Sequence, residues 1–464
     1  MRTVFISGGG PAGLAAALLF LQRGWERIVV VEKSASARAF DKNKGFNYLI
    51  DARGQKLLRH LGLAERLGTY GVENDRNNMT IVMADGSSKV FKSPFWDPKR
   101  DCAFWARREN LQMLLSDAIA ERNDGRIEMF YDHVFAGIEG GKFVVRPNGG
   151  GADVLIAPDF ALGCDGLRSG MRDAMIAHSG LGAGAFERVL QPSPSAKLFY
   201  KVLSMPAFVP LTGGGALDDN RMAYAFVSRH KTPAEATMMV AYPAAGADEP
   251  RTVNIIRLPE HVIWGLETPE AVLAFLEDAF PQLPLREVIS AQEAEDFVAV
   301  KATSFPPPQY TRTCFARVGG VPVLLLGDAA HAFPPDLGLG VNTALEDVFI
   351  LDGHLAAAGD EPGAAGAAFE AAQAGERAAL VKLVQCVAPW QYNQTPWRLK
   401  LWALRFFAVR GLHRLLPFWV DMPAVLLVQQ DGLTFGEIWR RVVGNRVKVG
   451  VLMGALAAGV VALV

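Results

Sequence analysis

The feature that most constrains this chain is a pair of strand–glycine–helix units lying near its opposite ends. The first runs from the β-type stretch Val4–Ser7 into Gly8-Gly9-Gly10-Pro11-Ala12-Gly13. The second, Val323–Asp347, reads VLLLGDAAHAFPPDLGLGVNTALED. Its apolar run Val323–Leu326 ends at Gly327-Asp328. A Pro334-Pro335 turn with Gly338 and Gly340 follows, and Asn342 is expected to open an apolar-periodic helix. Two such turns, so far apart in sequence, suit one large ligand held at both ends.

The N-terminal unit has its full context. Gly8, Gly10 and Gly13 give the G-x-G-x-x-G spacing: the first makes the tight turn, the second lets a pyrophosphate approach the backbone, and the third packs helix on strand. A helix over Pro11–Arg23 would present free N–H groups and a positive dipole end to phosphate. A second strand, Ile28–Val31, ends at Glu32, close to the ~20 residues expected before an acid that accepts from ribose hydroxyls. An ordinary glycine-rich turn would not require Glu32. Because Met1–Ser7 already reads as the first strand, no signal peptide is expected.

Composition sets outer limits. The chain has 464 residues, enough for two domains and a sizeable core. A formal net charge of −1, with 20% charged residues, suggests no nucleic-acid surface. Cys102, Cys164, Cys314 and Cys386 are scattered without C-x-x-C spacing and read as reduced thiols, implying a reducing compartment. Cys164 needs no redox role. The eight histidines form no ligand pattern, so no metal is expected, and His331 reads as structural.

Three motifs together resemble the class A flavoprotein monooxygenases, the aromatic-hydroxylase family. They are Gly8–Gly13 with Glu32; Gly163-Cys164-Asp165-Gly166-Leu167-Arg168-Ser169 with Arg172; and Gly327-Asp328. Within the family the likeness runs to the kynurenine 3-monooxygenase group, through Gly338-Leu339-Gly340-Val341-Asn342, Arg108 before an apolar helix, and a helical C-terminal region with an apolar tail.

The resemblance implies an α/β fold: a Rossmann-like FAD-binding domain of the glutathione-reductase type, an inserted β-sheet substrate domain and a helical C-terminal region. The expected boundaries are 1–70, 101–185 and 300–385 for the FAD-binding domain and 71–100 and 186–299 for the substrate-side sheet. Residues 386–448 would form the helical region and 449–464 an apolar tail. The chemistry implied is reduction of FAD by NADPH or NADH, addition of O₂ at flavin C4a, and hydroxylation of an electron-rich small molecule by the hydroperoxide.

By the same resemblance, the cofactor-binding residues are Gly8, Gly10, Ala12, Gly13, Glu32, Arg108, Val134, Asp165, Asp328, Val341 and Asn342. Asp328 would hold the ribityl chain. Asp165 would lie near both FAD and the nicotinamide. Pro335, Gly338 and Gly340 would form the loop over the flavin ring, with no acid or base assigned. Plainer readings stay beside these: Asp328 as a helix N-cap, Asp165 as a cap of the next turn, and Arg107 in place of its neighbour Arg108.

The chain departs from the kynurenine pattern in several places. Arg76 is the one match for a substrate-carboxylate arginine. The late helix, ALVKLVQCVA at 379–388, lacks the group's Asn-Tyr pair. Leu339 stands where glutamine is common, and Phe95-Trp96 replaces a tyrosine region. Apolar residues in place of a polar clamp argue for a less polar substrate.

The C-terminus suggests a membrane surface. Val449–Val464 carries no charge and follows Arg440, Arg441, Arg446 and Lys448. Sixteen helical residues span about 24 Å, short of the ~30 Å hydrocarbon core. Trp397–Val420 mixes aromatic and basic side chains, as interfacial segments do. The expected location is cytoplasmic, or membrane-associated on the cytosolic side; a packed helix with a basic rim is the alternative. Two other functions fit the same motifs: a non-hydroxylating flavin reductase of a membrane lipid or isoprenoid, and a non-catalytic FAD-fold membrane partner.

Overall fold

The computed structural model describes residues 2–463, apart from 40–44, 75–77, 98–101, 337 and 393–394. A six-stranded sheet organises the N-terminal half and a later return of the chain. Its order is Phe315–Val318, Val321–Leu325, Phe160–Gly163, Thr3–Ser7, Arg27–Glu32, Ile127–Tyr131. All neighbours run parallel except the Phe315–Val318 edge. The central strands are apolar runs buried along both faces, as a parallel sheet covered on two sides demands.

Helix Pro11–Gln22 is buried from Ala12 through Leu21. It packs between helices Arg108–Arg122 and Leu339–Ala357, which explains why it is apolar all round rather than striped. At its C-terminal end Phe20 meets Trp25 and Phe160 edge-on, at 4.9 and 6.0 Å between ring centroids. Emptying that site by Phe20→Ala should cost about 3–5 kcal/mol.

A second, seven-stranded sheet has the order Thr303–Ser304, Phe199–Met205, Arg251–Arg257, Met238–Ala241, Ala223–Val227, Asn78–Val82, Ser88–Lys92. The last two form a hairpin around Asp85-Gly86, with Val82 opposite Ser88. Strand periodicity of two divides this sheet into faces. Leu203, Val253, Ile255 and Met239 share one face, in the core beneath helices Pro269–Ala279 and Ala291–Ala299. Tyr200 and Asn254 point the other way.

The alanine-rich 356–372 patch joins helices Leu339–Ala357 and Pro362–Val387. The basic, aromatic segment is helix Pro396–Leu415, and the tail continues helix Phe435–Leu463. One expectation is corrected here. The helix after the Pro-Pro turn begins at Leu339, with left-handed Gly338 as its N-cap, and not at Asn342. The glycine supplies the helix entry, and the Asn342 side chain serves elsewhere.

Candidate functional site

Parallel registry places four strand ends side by side. Ser7 lies opposite Gly163 and Val31, and Gly163 opposite Leu325. The next residues of each strand therefore form one rim: Gly8, Glu32, Cys164-Asp165, and Leu326-Gly327-Asp328. Backbone bonds lock the rim, with Gly8 N–H donating to Val31 O at 2.8 Å, Cys164 N–H to Ser7 O at 2.8 Å and Leu326 N–H to Gly163 O at 3.0 Å.

The fingerprint glycines have distinct physical reasons. Gly8 has φ +102°, and a Cβ on it would stand 2.4 Å from Cys164 O. A Cβ on Gly13 would stand 1.9 Å from Gly8 O. A Cβ on Gly10 would meet nothing within 4 Å, so approach to that backbone is open. Helix Pro11–Gln22 has no side-chain cap bond at its N-terminus. Its amides face the rim uncovered, which is the arrangement that attracts phosphate.

Glu32 ends its strand and accepts from Gly9 N–H at 2.7 Å and from Ser34 N–H and Oγ at 2.9 and 2.7 Å. The carboxylate thus fixes the glycine turn as well as lying beside it. Asp165 accepts from Ser7 Oγ at 3.2 Å and Met171 N–H at 3.0 Å, while its Oδ1 is buried without a partner. The N-cap of helix Gly170–His178 is Ser169, so Asp165 assists that helix start but is not its cap. Burial pushes the Asp165 carboxyl up and raises the Cys164 thiol, which keeps it protonated and unreactive.

Asp328 sits inside the single 3₁₀ turn Gly327–Ala329 and caps nothing there. Its side chain keeps accessible surface, yet desolvation pushes its carboxyl up, opposed by the charges of His331 and Arg108. Accessible surface in a desolvating surround marks a residue that lines an internal cleft. The Asp347 carboxylate supports this turn from behind, accepting from Gly327 N–H at 2.8 Å and meeting His331 Nε2 at 2.8 Å. Arg107 and Arg108 now separate: Arg107 pairs with Glu109 at 2.9 Å, whereas the charge of Arg108 acts on Tyr48 and Asp328.

Asn342 is spent on architecture. Its Oδ1 accepts from Asp51 N–H at 2.9 Å, and its Nδ2 donates to Leu49 O and Gly338 O at 2.7 and 2.8 Å. This clasp fixes the start of helix Leu339–Ala357 against strand Asn47–Ile50. The backbone amides of Leu339, Gly340 and Val341 are the helix's first and lack intrahelical acceptors, so they, and not the Asn342 side chain, are available to an anion.

Aromatic rings from separate segments pack in two groups. Tyr200 stacks on Phe305 at 4.9 Å, Phe305 lies 5.9 Å from Tyr392, and Trp105 is 5.0 Å from Tyr242. Tyr48, Tyr200, Tyr242 and Tyr392 all retain partial exposure, while burial raises the hydroxyls of Tyr48, Tyr242 and Tyr392. The Tyr48 hydroxyl senses Tyr200, and that of Tyr392 senses Tyr242 and Asp336.

Other sequence expectations fall elsewhere. Arg76 lies outside the described residues. Val134 is half-buried on strand His133–Glu139, next to the Glu32 strand. Leu339 and Phe95 belong to the core under the C-terminal helices, where Phe95 packs on Phe406 at 4.8 Å. They support those helices, so the inference of a less polar substrate from these two positions loses its basis. Sequence reading missed Asp347, Tyr48 and the other clustered tyrosines. Only Asp347, four residues before Leu351 on an apolar helix face, carried a local signal: a carboxylate where periodicity asks for an apolar residue.

A family model described as "FAD binding domain" matches residues 1–190 and 284–385, well over half of the chain. The chain belongs to this family. Among curated relatives, kynurenine 3-monooxygenase of Salinispora arenicola is 28% identical over 377 residues, covering 80% of this chain and 76% of the relative. The enzyme of the same name from Sus scrofa is 25% identical, covering 75% and 68%. Among solved structures, 2-methyl-3-hydroxypyridine-5-carboxylic acid oxygenase superposes with TM-score 0.58 at 18% identity, over 83% of this chain and 90% of that one. PqsL from Pseudomonas aeruginosa gives 0.55 at 19%, over 87% and 99%.

The protein is an FAD-dependent monooxygenase of the aromatic-hydroxylase class. The residues present fit the cofactor: an open backbone at Gly10, uncapped helix amides, and an accessible carboxyl at Asp328. Among the described residues, no group of His, Cys, Asp or Glu could hold a metal ion.

Proposed function

We propose that the protein uses NADPH or NADH and O₂ to hydroxylate an aromatic small molecule seated beside the clustered tyrosines. Bound FAD would supply the redox chemistry, taking hydride from the nicotinamide and activating O₂. The protein's part is to bind, orient and exclude water. The Gly8–Gly13 turn and the first amides of helix Pro11–Gln22 hold the pyrophosphate, with Ala12 at the helix start. Glu32 accepts from the ribose, and Val134 flanks the adenine end. Asp328 accepts from the ribityl chain, with Arg108 beside it. Asp165 faces the nicotinamide side. Pro335, Gly338 and Gly340 shape the loop at the ring edge, where the Val341 amide stabilises negative charge. On this reading the FAD-binding portion comprises 1–70, 101–185 and 300–385.

The observation that supports this most is the rim itself: the open backbone at Gly10, the uncapped amides of helix Pro11–Gln22 and the accessible Asp328 stand along one set of strand ends. The charge of Arg108 acts on both Asp328 and Tyr48, which links that rim to the clustered tyrosines. The test is NADPH-dependent O₂ uptake by the purified yellow protein, with and without phenols, anilines and kynurenine. Stimulation with hydroxylated product supports the reading; turnover without any hydroxylated product in the full panel sinks it.

A membrane-surface role for the C-terminal region has its own observation. Helix Pro396–Leu415 exposes Trp397, Leu401, Leu404 and Phe407 at helical spacing, with Arg398, Lys400 and Arg405 exposed among them. Among the described residues no helix is long and apolar enough to cross a membrane. The mode this stripe favours is therefore interfacial, with apolar side chains in the headgroup boundary and basic ones toward anionic lipid.

A further inference from the structure

Behind the strand-end rim, on the other side of the Asp347 carboxylate, lies a cavity of about 190 Å³. Helices Ala52–His60, Leu339–Ala357 and Pro362–Val387 wall it, and the 431–435 segment that leads into the last helix closes it. Lys56 and Asp431, with 27% and 42% of their side chains exposed, mark its opening. A single water needs about 10–15 Å³, so the space takes a small organic molecule.

Its polar lining divides into spent donors and open acceptors. Arg53 donates to Glu346 at 3.1 Å and to the Gln430 and Leu433 carbonyls at 2.8 and 2.6 Å. Arg377 donates to Glu370 at 2.8 Å and to Cys314 Sγ at 2.9 Å. Lys56 donates to Asp431 O at 2.8 Å, with the Asp431 and Glu346 carboxylates at 3.6 and 4.0 Å. The acceptors are less committed. Asp347, 8% exposed, gives Oδ2 to Gly327 N–H and His331 Nε2 and leaves Oδ1 without a hydrogen bond. Glu376 gives Oε2 to Gly436 N–H at 2.8 Å and leaves Oε1. Neither free oxygen is sealed from solvent, and the half-buried Gln373 amide lines the same space.

Open acceptors are satisfied by a ligand that brings N–H donors, and an ammonium offers three and no acceptor. Charge points the same way: Glu346, Asp347, Glu376 and Asp431 outnumber Arg53, Lys56 and Arg377 around the cavity. Ile350, Leu380 and Phe435 supply an apolar wall for a carbon chain.

We infer that this cavity is a binding site for a small organic ammonium ion, held by Asp347 and Glu376 and carrying a short apolar chain. The site is separate from the strand-end rim and does not depend on where the substrate sits. It touches the rim through Asp347, because the same carboxylate accepts from Gly327 N–H at 2.8 Å, beside Asp328.

The experiment uses the FAD-loaded full chain at pH 8 and constant ionic strength, with binding read by ligand-detected NMR titration. The probes are n-butylamine, n-butanol and butyrate, which share a chain and differ in charge. The wild type should bind the amine at least about tenfold more tightly than the alcohol, as expected for a charge-assisted bond, and butyrate should show no saturable binding. Glu376→Gln keeps an acceptor for Gly436 N–H and should weaken the amine about tenfold with the alcohol unchanged. Gln373→Trp, which fills the cavity from a half-buried helix position, should abolish amine binding while flavin content and unfolding midpoint stay at wild-type values. Equal wild-type affinities for amine and alcohol overturn the assignment. So does an amine affinity unchanged in both variants, which places the amine elsewhere. If the wild type binds none of the three probes, the cavity holds only water and the assignment fails.

Discussion

The strand-end rim and the Pro335-Asp336 turn satisfy their polar groups differently. On the rim, Glu32 accepts three hydrogen bonds from the protein itself, and Asp347 holds both Gly327 and His331, although Asp165 Oδ1 is buried without a partner. On the turn, Asp336 keeps both carboxyl oxygens buried without partners. A surface whose groups hold one another is stiff before anything binds, whereas uncompensated groups are held in place only by the surrounding fold.

The rim half of this comparison breaks most easily at Gly13. A Cβ there collides with Gly8 O at 1.9 Å, backbone against backbone, with no flexible side chain to yield. Gly13→Val should lose flavin and lower stability by more than about 4 kcal/mol. Flavin content and chemical unfolding would show it; a yellow variant of wild-type stability refutes the cradle geometry.

The Asp336 half should respond with the opposite sign. Burial pushes the Asp336 carboxyl up to about 7 from 3.8. A raised carboxyl means that the fold prefers the protonated form. Below pH 4 both folded and unfolded states are protonated, and the residue is neutral for stability. Between pH 4 and 7 the unfolded state ionises first, so stability falls as pH rises. Above pH 7 the full loss is present, at most about 4 kcal/mol. Asp336→Asn should therefore be more stable than wild type at pH 8, with the gap shrinking toward pH 5. Parallel stability curves from pH 5 to 8 would contradict the uncompensated burial.

Asp328, on the rim, should give an intermediate effect. Asp328→Ala removes a charged acceptor and should weaken FAD binding by roughly 1.5–3 kcal/mol, one to two decades in Kd. The protein without cofactor should remain folded. Flavin fluorescence titration decides it, and unchanged affinity excludes the ribityl role. The smallest effect belongs to the C-terminal helix. Arg405→Ala should weaken co-sedimentation with anionic vesicles at low salt by about 1 kcal/mol, whereas Leu404→Glu should weaken it at both low and high salt. Absence of vesicle binding by the wild type rules out the interfacial reading.

These two regions were also unequally legible in the sequence. The rim is local: a strand, a glycine turn and a helix are contiguous, so the backbone roles of Gly8 and Gly13 could be read from spacing and chain order, while Asp328 was named through the family resemblance. The aromatic cluster is non-local. Tyr48, Tyr200, Tyr242 and Tyr392 come from four separate segments, and no periodicity links them. Asp336 was hidden in plain view, one residue past the Pro335 that drew attention, because burial without partners is a property of the assembled fold. Leu339 and Phe95 misled for the same reason: their side chains serve a helix core that lies far along the chain. The start of the helix was misplaced because Gly338 can take the left-handed cap that the chain needed, whereas Asn342 was read as the cap it resembles.

The Asn342 clasp sets a schedule for biosynthesis. Its partner, the Asp51 amide, lies 291 residues earlier. At roughly 5–20 residues per second, the N-terminal segment waits on the order of 15–60 s for the residue that fastens it. During that interval the strand Phe160–Gly163 also lacks its neighbour Val321–Leu325 and presents an open, apolar edge, the kind of surface that pairs with the wrong chain. The ribosome must thus carry most of this protein before it can hold flavin. Stalled chains ending before Leu339 should bind none, while chains extended past the C-terminal helices should.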